Sequence, residues 1–447
     1  MAPREMTVLS RYMGGVRPGA GFESPAAMRR RWLAGIFAVS AIWAILVAVF
    51  TSEHVHHLWG VMAAVGYGVA LGIVLVLRHT RAADIAIWVA FIGGLIVPLA
   101  WLAAQGLMQP EVCVVADSGI SLIHHGTPYT DAARLASTTN QNAYNPYLPV
   151  MALFGLPRAL FNLAPLNCTA AVVPRTFSVL GLVTDPRVWF GVVFLVVFWL
   201  ALRRAGARDP GRWTLLVAGT PVIAFELAVG GTDVPMVGFL CLGFAYLWVR
   251  KPVLAGLALG IGASMKATAW PALLVALALL AVRDGKRAVG WFTLTAVAVV
   301  AVSVGPFIID HPKSLLMNTI EFPLGLASVR SAASSPLPGH IIASTWPHAG
   351  HTIIVVLLAL AGLAVAASLV FRPPQSVPRA VILLAGAMTL MFVLAPSTRF
   401  GYFIYPAALA IWLLAAGAGR KADEDDELGE ISVGYLPARV PEGPPPA

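Results

Sequence analysis

Charged residues are scarce in this chain, and their scarcity excludes a soluble globular protein. Only 11% of its 447 residues are Asp, Glu, Lys or Arg, whereas 58% are hydrophobic. Soluble globular domains carry about 25% charged residues. The composition therefore favours a membrane protein.

Several motifs of soluble enzymes and repeat proteins are also missing. The sequence contains no Walker phosphate loop, no metal-ligand cluster at zinc spacing and no repeat at solenoid spacing. Cysteine is rare, with three residues in all. Cys113 and Cys168 fall in one predicted outer loop, and a loop that faces an oxidising compartment can carry a disulfide. We predict a Cys113–Cys168 bond, with two unpaired thiols as the alternative.

Long apolar runs make up most of the sequence. Stretches of about 17 to 22 residues recur, each long enough to cross a hydrocarbon core of roughly 30 Å as a helix. We predict an all-α polytopic membrane protein with about 10–12 transmembrane helices in one domain over 32–418, and two large outer loops at 105–186 and 310–349. Residues 1–31 and 419–447 are predicted to be cytoplasmic tails, because their compositions cannot bury a core.

Membrane topology, rather than a nucleic-acid partner, accounts for the net charge of +9. With a cytoplasmic N-terminus, most of the basic clusters fall on the cytoplasmic side, as the positive-inside rule requires. The apolar segment 253–282 has a basic cluster at each end. We therefore expect either two short re-entrant helices that meet near Lys266 or a pair of tilted crossings. Both arrangements put Lys266 deep in the membrane or near its outer face.

A polar segment, ADSGISLIHHGTPYTD, follows the third apolar run. Asp117 stands near its start, and a carboxylate at the membrane–water boundary can act as a general base towards an acceptor hydroxyl. Asp is also a favoured helix N-cap, and the two roles are compatible. His124, His125 and Tyr129 are candidates for holding sugar or phosphate groups, although each alone is also an ordinary residue of a solvated loop.

Three charged residues interrupt apolar segments farther along the chain. Glu226 lies within a predicted span, where an acidic side chain is a functional candidate or has a charged partner. Asp233 ends the sequence ELAVGGTD, which also suits a tight turn. Lys266 needs an anion such as the phosphate of a lipid carrier, or else a salt bridge to Glu226 or Asp233.

Arg399 is predicted at the outer mouth of the last helical hairpin, in the sequence APSTRFGYFIYP. Arginine binds phosphate through a planar fork of donors, and Tyr402 beside it is a candidate substrate contact. An arginine that reaches the interface next to an aromatic belt is the alternative. Arg330 and His340, in the second outer loop, are weaker candidates for the same pocket. Under the predicted topology these residues converge with Asp117 at the outer half of the membrane.

Three short motifs resemble those of one enzyme superfamily. The segment D…I…HHGTPY at 117–129 resembles the first-loop motif of polytopic glycosyltransferases of the C superfamily. AGLALGIGASMKATAWPALL at 255–274 resembles a helical pair of the same enzymes. TRFGYFIYP at 398–406 resembles a late motif of the bacterial polyprenyl-phosphate-mannose-dependent α-mannosyltransferases, which are of the glycosyltransferase family 87 type.

This resemblance implies an activity and roles for residues. It implies inverting transfer of a sugar from a polyprenyl-phosphate donor to a cell-envelope glycolipid or glycan at the outer face of a bacterial plasma membrane. Mannose is the first candidate for that sugar. Asp117 matches the catalytic base, and Lys266 and Arg399 match positions near the donor phosphate. Ser118 and Gly119 follow Asp117 in place of a second acid, so we expect no metal and no other cofactor.

The sequence leaves two other classes of protein as alternatives. A multi-pass transporter of a polar or lipid-linked substrate also has broken helices and buried charges, and Glu226, Asp233 and Lys266 would then form a coupling-ion site. An assembly subunit of a cell-envelope complex would keep the fold without the activity. The large first outer loop, with its interfacial segment at 148–163, favours the glycosyltransferase.

Overall fold

The computed structural model of the chain describes residues 25–79, 81–166, 178–329, 331, 333–346 and 349–417. These residues form helices joined by turns, with one isolated β-bridge between Ser334 and Thr398. The longer helices, in chain order, are α1 (Pro25–Phe50), α2 (His54–Val76), α3 (Ala82–Ala104), α4 (Pro110–His125), α5 (Pro186–Ala205), α6 (Pro210–Ala218), α7 (Pro221–Val229), α8 (Val234–Trp248), α9 (Pro252–Ala263), α10 (Trp270–Arg283), α11 (Lys286–Asp310), α12 (Gly350–Phe371), α13 (Val377–Leu394) and α14 (Phe400–Gly417). Shorter helical turns are Ala132–Ser137, Gln141–Ala143, Pro149–Gly155, Leu156–Leu160, Val179–Val183, Ala267–Ala269, Pro312–Leu316, Met317–Glu321 and Pro338–Thr345.

Eight of the described helices are long and apolar enough to cross a bilayer, namely α1, α2, α3, α5, α11, α12, α13 and α14. Helices α6 and α7 meet at a bend of 59° and add a ninth if they form one span. The apolar helices α8, α9 and α10 have 15, 12 and 14 residues, fewer than the roughly 20 that a full crossing needs. The all-α polytopic fold is confirmed, and the predicted count of about 10–12 spans includes these short helices.

The two basic clusters around the segment 253–282 lie side by side at one end of the bundle, which we call the basic end. Arg250, before α9, forms an ion pair with Asp284, after α10. Arg283 Nη2 also donates to the carbonyl of Leu247 at 2.6 Å. The chain therefore leaves this end through α9 and comes back to it through α10.

Helix α9 runs beside α11 in the same direction. A Cβ atom at Gly256 would lie 2.5 Å from the Phe292 carbonyl, so only glycine allows this approach of the two backbones. Farther along both helices, Ser303 Oγ donates to Ser264 Oγ at 2.8 Å. The break between α9 and α10, which contains Lys266, consequently lies at the end opposite the basic end.

The segment after α4 is fixed to this break. The amide of Leu148 donates to the Met265 carbonyl at 2.8 Å, and that of Val150 donates to the Ser264 carbonyl at 3.1 Å. A Cβ atom at Gly119 of α4 would lie 2.3 Å from the backbone of Gly155, so α4 packs directly on the turn Pro149–Gly155. These contacts hold α4, the segment after it and the Lys266 break together.

The predicted domain boundaries are only partly covered by the described residues. Helix α1 begins at Pro25, within the predicted tail 1–31, and the other predicted tail, 419–447, lies outside the described residues. The predicted first outer loop contains the 16-residue helix α4. The predicted interfacial segment at 148–163 contains two short helical turns, Pro149–Gly155 and Leu156–Leu160.

Candidate active site

Five charged residues meet at the end opposite the basic end, and we call them the charged cluster. Each stands at or beside a helix end, where backbone turns bring separate helices together: Glu111 in the first turn of α4, Glu226 in the last turn of α7, Asp233 before α8, Lys266 between α9 and α10, and Arg399 before α14. These residues come from four separate parts of the sequence, because Glu226 and Asp233 both stand in ELAVGGTD. The cluster therefore depends on the whole bundle.

Lys266 and Asp233 form a nearly buried ion pair. Lys266 Nζ lies 2.8 Å from Asp233 Oδ1 and 3.1 Å from Oδ2, and the two side chains are 12% and 10% exposed. The ammonium group also faces the rings of Tyr402 and Tyr147, with centroids at 4.8 and 5.6 Å. The salt bridge that the sequence left as an alternative is present, and it involves Asp233.

The break that presents Lys266 follows from the local sequence. Helix α9 ends at Ala263, and Ser264 Oγ donates back to the Gly260 carbonyl at 2.8 Å. Lys266 is extended, with φ −160° and ψ 142°. Pro271 stands in the first turn of α10, where its missing N–H needs no partner and its fixed φ suits a new helix.

Arg399 pairs with Glu111. Arg399 Nη2 lies 2.5 Å from Glu111 Oε1, and the side chains are 30% and 28% exposed. The other carboxylate oxygen, Glu111 Oε2, is buried and has no hydrogen-bond partner among the described residues. A carboxylate oxygen is an acceptor of hydrogen bonds, so this atom can accept one more.

Glu226 adds a third carboxylate to the two ion pairs. A Cβ atom at Gly231 would lie 2.6 Å from Glu226 Oε2, and one at Gly401 would also collide with the carboxylate. These two glycines make the space that the Glu226 side chain fills. The charged cluster thus contains three acids and two cations.

A cavity of about 610 Å³ opens beside the charged cluster. Its charged side is formed by Glu111, Lys266 and Arg399, with Tyr147 and Tyr402. Its second side, which we call the apolar wall, comes from α10, α12 and α13 and includes Leu274, Leu358, Gly362, Val365, Leu369, Leu390 and Met391. Its third side comes from the predicted outer loops and from the turn before α14, and it includes Gln141, Asn142, Tyr144, Thr319, Ser331 and Ser397. One cavity therefore offers cations, a hydrocarbon surface and uncharged hydrogen-bonding groups.

Asp117 does not line this cavity. It lies in the middle of α4, which begins at Pro110, so the N-cap interpretation is wrong. Six residues beyond Glu111, it is turned about 240° further around the helix at about 100° per residue. Asp117 Oδ1 accepts a hydrogen bond from the Leu166 amide at 2.7 Å. Burial raises the pKa of this carboxyl from 3.8 to about 6.

Four other predicted site residues lie away from the cavity. His124 and His125 are exposed at the end of α4. Tyr129 is buried, and its hydroxyl donates to the Tyr147 carbonyl at 3.0 Å. His340 Nδ1 lies 3.2 Å from the Pro396 carbonyl. Tyr129 therefore holds the backbone of Tyr147, which lines the cavity. His340 contacts the loop before α14.

The predicted disulfide and one predicted cation are only partly described. Arg330 and Cys168 lie outside the described residues. Cys113 is disulfide-bonded, and its pairing with Cys168 stays a prediction. Cys241 is a free, buried cysteine in α8.

Glu111 and Tyr147 were not foreseen from the sequence. Glu111 left a signal, since Pro110 and Glu111 after a long apolar run suit the first turn of a helix, and Arg399 needed an acidic partner. Tyr147 left none, because only the folded turns bring it beside Lys266.

Comparison with known protein families identifies one family for this chain. The sequence model of glycosyltransferase family 87 matches residues 145–396, which is more than half of the chain. The match includes Glu226, Asp233 and Lys266 and the apolar wall, and Glu111 and Arg399 fall outside it. No curated protein and no solved structure matches the chain.

Proposed function

The chain belongs to glycosyltransferase family 87, and we propose that it moves a sugar, mannose first, from a polyprenyl-phosphate donor to a glycolipid or glycan acceptor. We propose further that transfer inverts the anomeric centre and takes place at the extracytoplasmic face of a bacterial plasma membrane. The single observation that carries this proposal is the cavity in which the charged cluster adjoins the apolar wall.

The apolar wall suits a polyprenyl chain. Helix α12 supplies Leu358, Gly362, Val365 and Leu369, whose spacing of three to four residues puts them on one helix face. Gly362 has open space where a side chain would be. A hydrocarbon tail against this face would replace lipid contacts with protein contacts, and its phosphate would lie at the charged side of the cavity.

Lys266 and Arg399 are suited to the donor phosphate, although both already have acidic partners. A lysine has three N–H donors and an arginine has five. Two contacts of Lys266 Nζ go to Asp233, and one Arg399 nitrogen goes to Glu111. Each cation therefore keeps donors for phosphate oxygens, and the acids hold the cations in place when the donor is absent.

The proposed reaction needs one base and one leaving group. An acceptor hydroxyl attacks the anomeric carbon, the bond from that carbon to the phosphate oxygen breaks, and polyprenyl phosphate leaves with the electron pair. The hydroxyl proton passes to a carboxylate. We propose Glu111 as that base in place of Asp117, because Glu111 lines the cavity and has a free oxygen. Attack opposite to the leaving phosphate gives inversion.

We propose that the transfer needs no metal or other cofactor. A phosphate monoester is already an adequate leaving group once its charge is neutralised, and Lys266 and Arg399 can supply that positive charge. The third side of the cavity, with Gln141 and Asn142, offers amides for an acceptor sugar. Acceptor and donor would then approach the charged cluster from different sides.

A transfer assay tests this proposal. Purified protein in nanodiscs is incubated with radiolabelled polyprenyl-phosphate-mannose and a lipid extract of bacterial envelopes, beside the variants Glu111→Gln and Asp117→Asn. We expect label to move into a glycolipid or glycan with wild type, about 10²–10⁴-fold less with Glu111→Gln, and nearly unchanged with Asp117→Asn.

The other outcomes each correct a different part of the proposal. Loss of transfer with Asp117→Asn and retention with Glu111→Gln would return the base to Asp117. No transfer by wild type from the mannose donor, but transfer from another lipid-linked sugar, would correct the sugar. No transfer from any lipid-linked sugar would overturn the donor class. A product that keeps the donor's anomeric configuration would overturn inversion.

A further inference from the structure

The turn between the first two membrane helices reaches the charged cluster through one histidine. His56 stands in the first turn of α2. Its Nε2 forms a short hydrogen bond with the side-chain amide of Gln109, and its Nδ1 lies 3.4 Å from Thr51 Oγ1. Because the amide N–H of Gln109 donates, Nε2 must accept, and the ring proton is then on Nδ1, where it faces Thr51.

Gln109 is fixed from three directions. Its side chain contacts His56, and its backbone N–H donates to the Val229 carbonyl at 3.0 Å. A Cβ atom at Gly230 would lie 2.9 Å from the Cβ atom of Gln109. Gln109 is also the N-cap residue of α4, two positions before Glu111. A contact that holds Gln109 therefore sets the first turn of α4.

The surroundings of His56 connect it to the rest of the cluster. Its ring packs edge-on against Phe225, with centroids 5.0 Å apart, and Phe225 directly precedes Glu226. Trp59, one turn later on α2, also packs edge-on against Phe225, with ring centroids 4.9 Å apart. The charged groups that act on His56 are Glu53 and Arg399. His56 is thus in electrostatic reach of the cation that pairs with Glu111.

We propose that His56 is a positioning residue for sugar transfer, which acts through Gln109 to hold the Glu111 carboxylate against Arg399. This inference rests on the proposed function. It assigns a part in the reaction to the helix pair α1–α2, which lies outside the family match at 145–396. The active site is then completed by a segment that the family match does not include.

Variants of the two linked residues test the proposal in the full-length protein. We expect His56→Ala and Gln109→Ala each to lower kcat by about 10- to 100-fold, because a small displacement of a reacting group is enough for such a loss. The KM for the lipid-linked donor should stay within about twofold, since neither residue lines the apolar wall. The double variant should be no slower than the slower single variant, because both substitutions break one link.

Two further variants separate positioning from general stability. His56→Gln keeps an acceptor where Nε2 stood and should recover most of kcat. His54→Ala changes an exposed histidine of the same turn and should leave kcat unchanged. The proposal would be overturned if the two losses of kcat multiply in the double variant. It would also be overturned if His56→Gln is as slow as His56→Ala.

Hydrogen–deuterium exchange supplies a measurement that does not need the reaction. We expect amides of residues 108–116 to exchange faster in His56→Ala than in wild type or His54→Ala. If wild type transfers sugar from no lipid-linked donor, the proposed function fails, and exchange still decides this inference. Lost protection would uphold the link from His56 to the start of α4, and unchanged protection would overturn it.

Discussion

The charged residues at the two ends of the bundle differ in their surroundings. At the basic end, Arg250 is 65% exposed, whereas its partner Asp284 is 9% exposed and also pairs with Arg283, which is 14% exposed. At the other end, Lys266 and Asp233 are 12% and 10% exposed. An exposed cation such as Arg250 contributes about 0–1 kcal/mol through its ion pair, whereas removing one partner of a buried pair such as Lys266 and Asp233 costs about 3–5 kcal/mol. Arg250 and Lys266 thus differ in weight, although each pairs with a buried aspartate.

The difference separates topology from chemistry. A net charge of +9 describes the whole chain and says nothing about which cations are at a site. Basic residues at turns between membrane helices follow the positive-inside rule and tolerate exchange. Cations that are buried beside acids and line a cavity are retained at an energetic disadvantage, which makes them functional candidates.

Removing the buried lysine should give the largest effect. We expect Lys266→Met to lower kcat/KM by about 10²–10³-fold, because it removes charge from the leaving phosphate and leaves Asp233 without its cation. The matched variant Lys251→Met, near the basic end, should change kcat/KM by less than about twofold. The transfer assay measures both, and size-exclusion chromatography checks folding. Equal losses in the two variants would remove the distinction between the ends.

Keeping the charge but changing its shape should give a smaller effect. Arg399→Lys retains a cation and loses the planar fork, so we expect kcat/KM to fall by about tenfold. Arg250→Lys, at the basic end, should leave it unchanged. Wild-type kinetics for Arg399→Lys would mean that the fork of Arg399 is not used.

Filling the apolar wall should affect donor binding alone. Gly362→Phe puts a ring where the lipid chain is proposed to lie, and we expect the donor KM to rise by about tenfold, equivalent to about 1.4 kcal/mol. A water-soluble donor with a short chain should be less affected. Gly68→Phe, on α2, which contributes no residue to the cavity lining, also enters open space and is the control. A similar KM for both variants would argue against a tail at Gly362.

The effect expected at Asp117 is on the pH dependence of stability, since transfer should be nearly unchanged in Asp117→Asn. Its pKa of about 6 in the folded protein exceeds the ordinary value of 3.8, so the native state binds more protons between these two pH values. Stability should then fall by about 1–2 kcal/mol as the pH rises from 4 to 6. Asp117→Asn should flatten this part of the apparent Tm profile. Parallel profiles for variant and wild type would contradict the pKa shift.

Much of the fold could be predicted from the sequence, because long apolar runs and basic clusters depend on local composition. The break at Lys266 and the same-end arrangement of its basic flanks followed from the same reasoning. The count of spans exceeded the number of long helices because α8, α9 and α10 are apolar in composition but short in length. Composition measures apolarity, and only the caps and prolines fix where a helix ends.

The part of the candidate site that the sequence predicts consists of charged residues in apolar segments, which need an oppositely charged partner when they are buried. Lys266 and Asp233 interrupt apolar sequence, and they do pair. The sequence points to Asp117 by its position in a motif, and a motif does not show which face of α4 lies at the cavity. Glu111 lies on the same helix and faces the cavity. The choice between two acids on one helix depends on which face the turn at Gly155 covers, and that contact is long-range.

The most direct test of the account is a cryo-electron microscopy structure of the protein in nanodiscs with a non-transferable polyprenyl-phosphate-sugar analogue. We predict that the lipid chain lies along Gly362 and Leu369 of the apolar wall and that its phosphate lies within hydrogen-bonding distance of Lys266 and Arg399. A donor bound with its phosphate beside Asp117, or with its chain away from α12, would contradict the account.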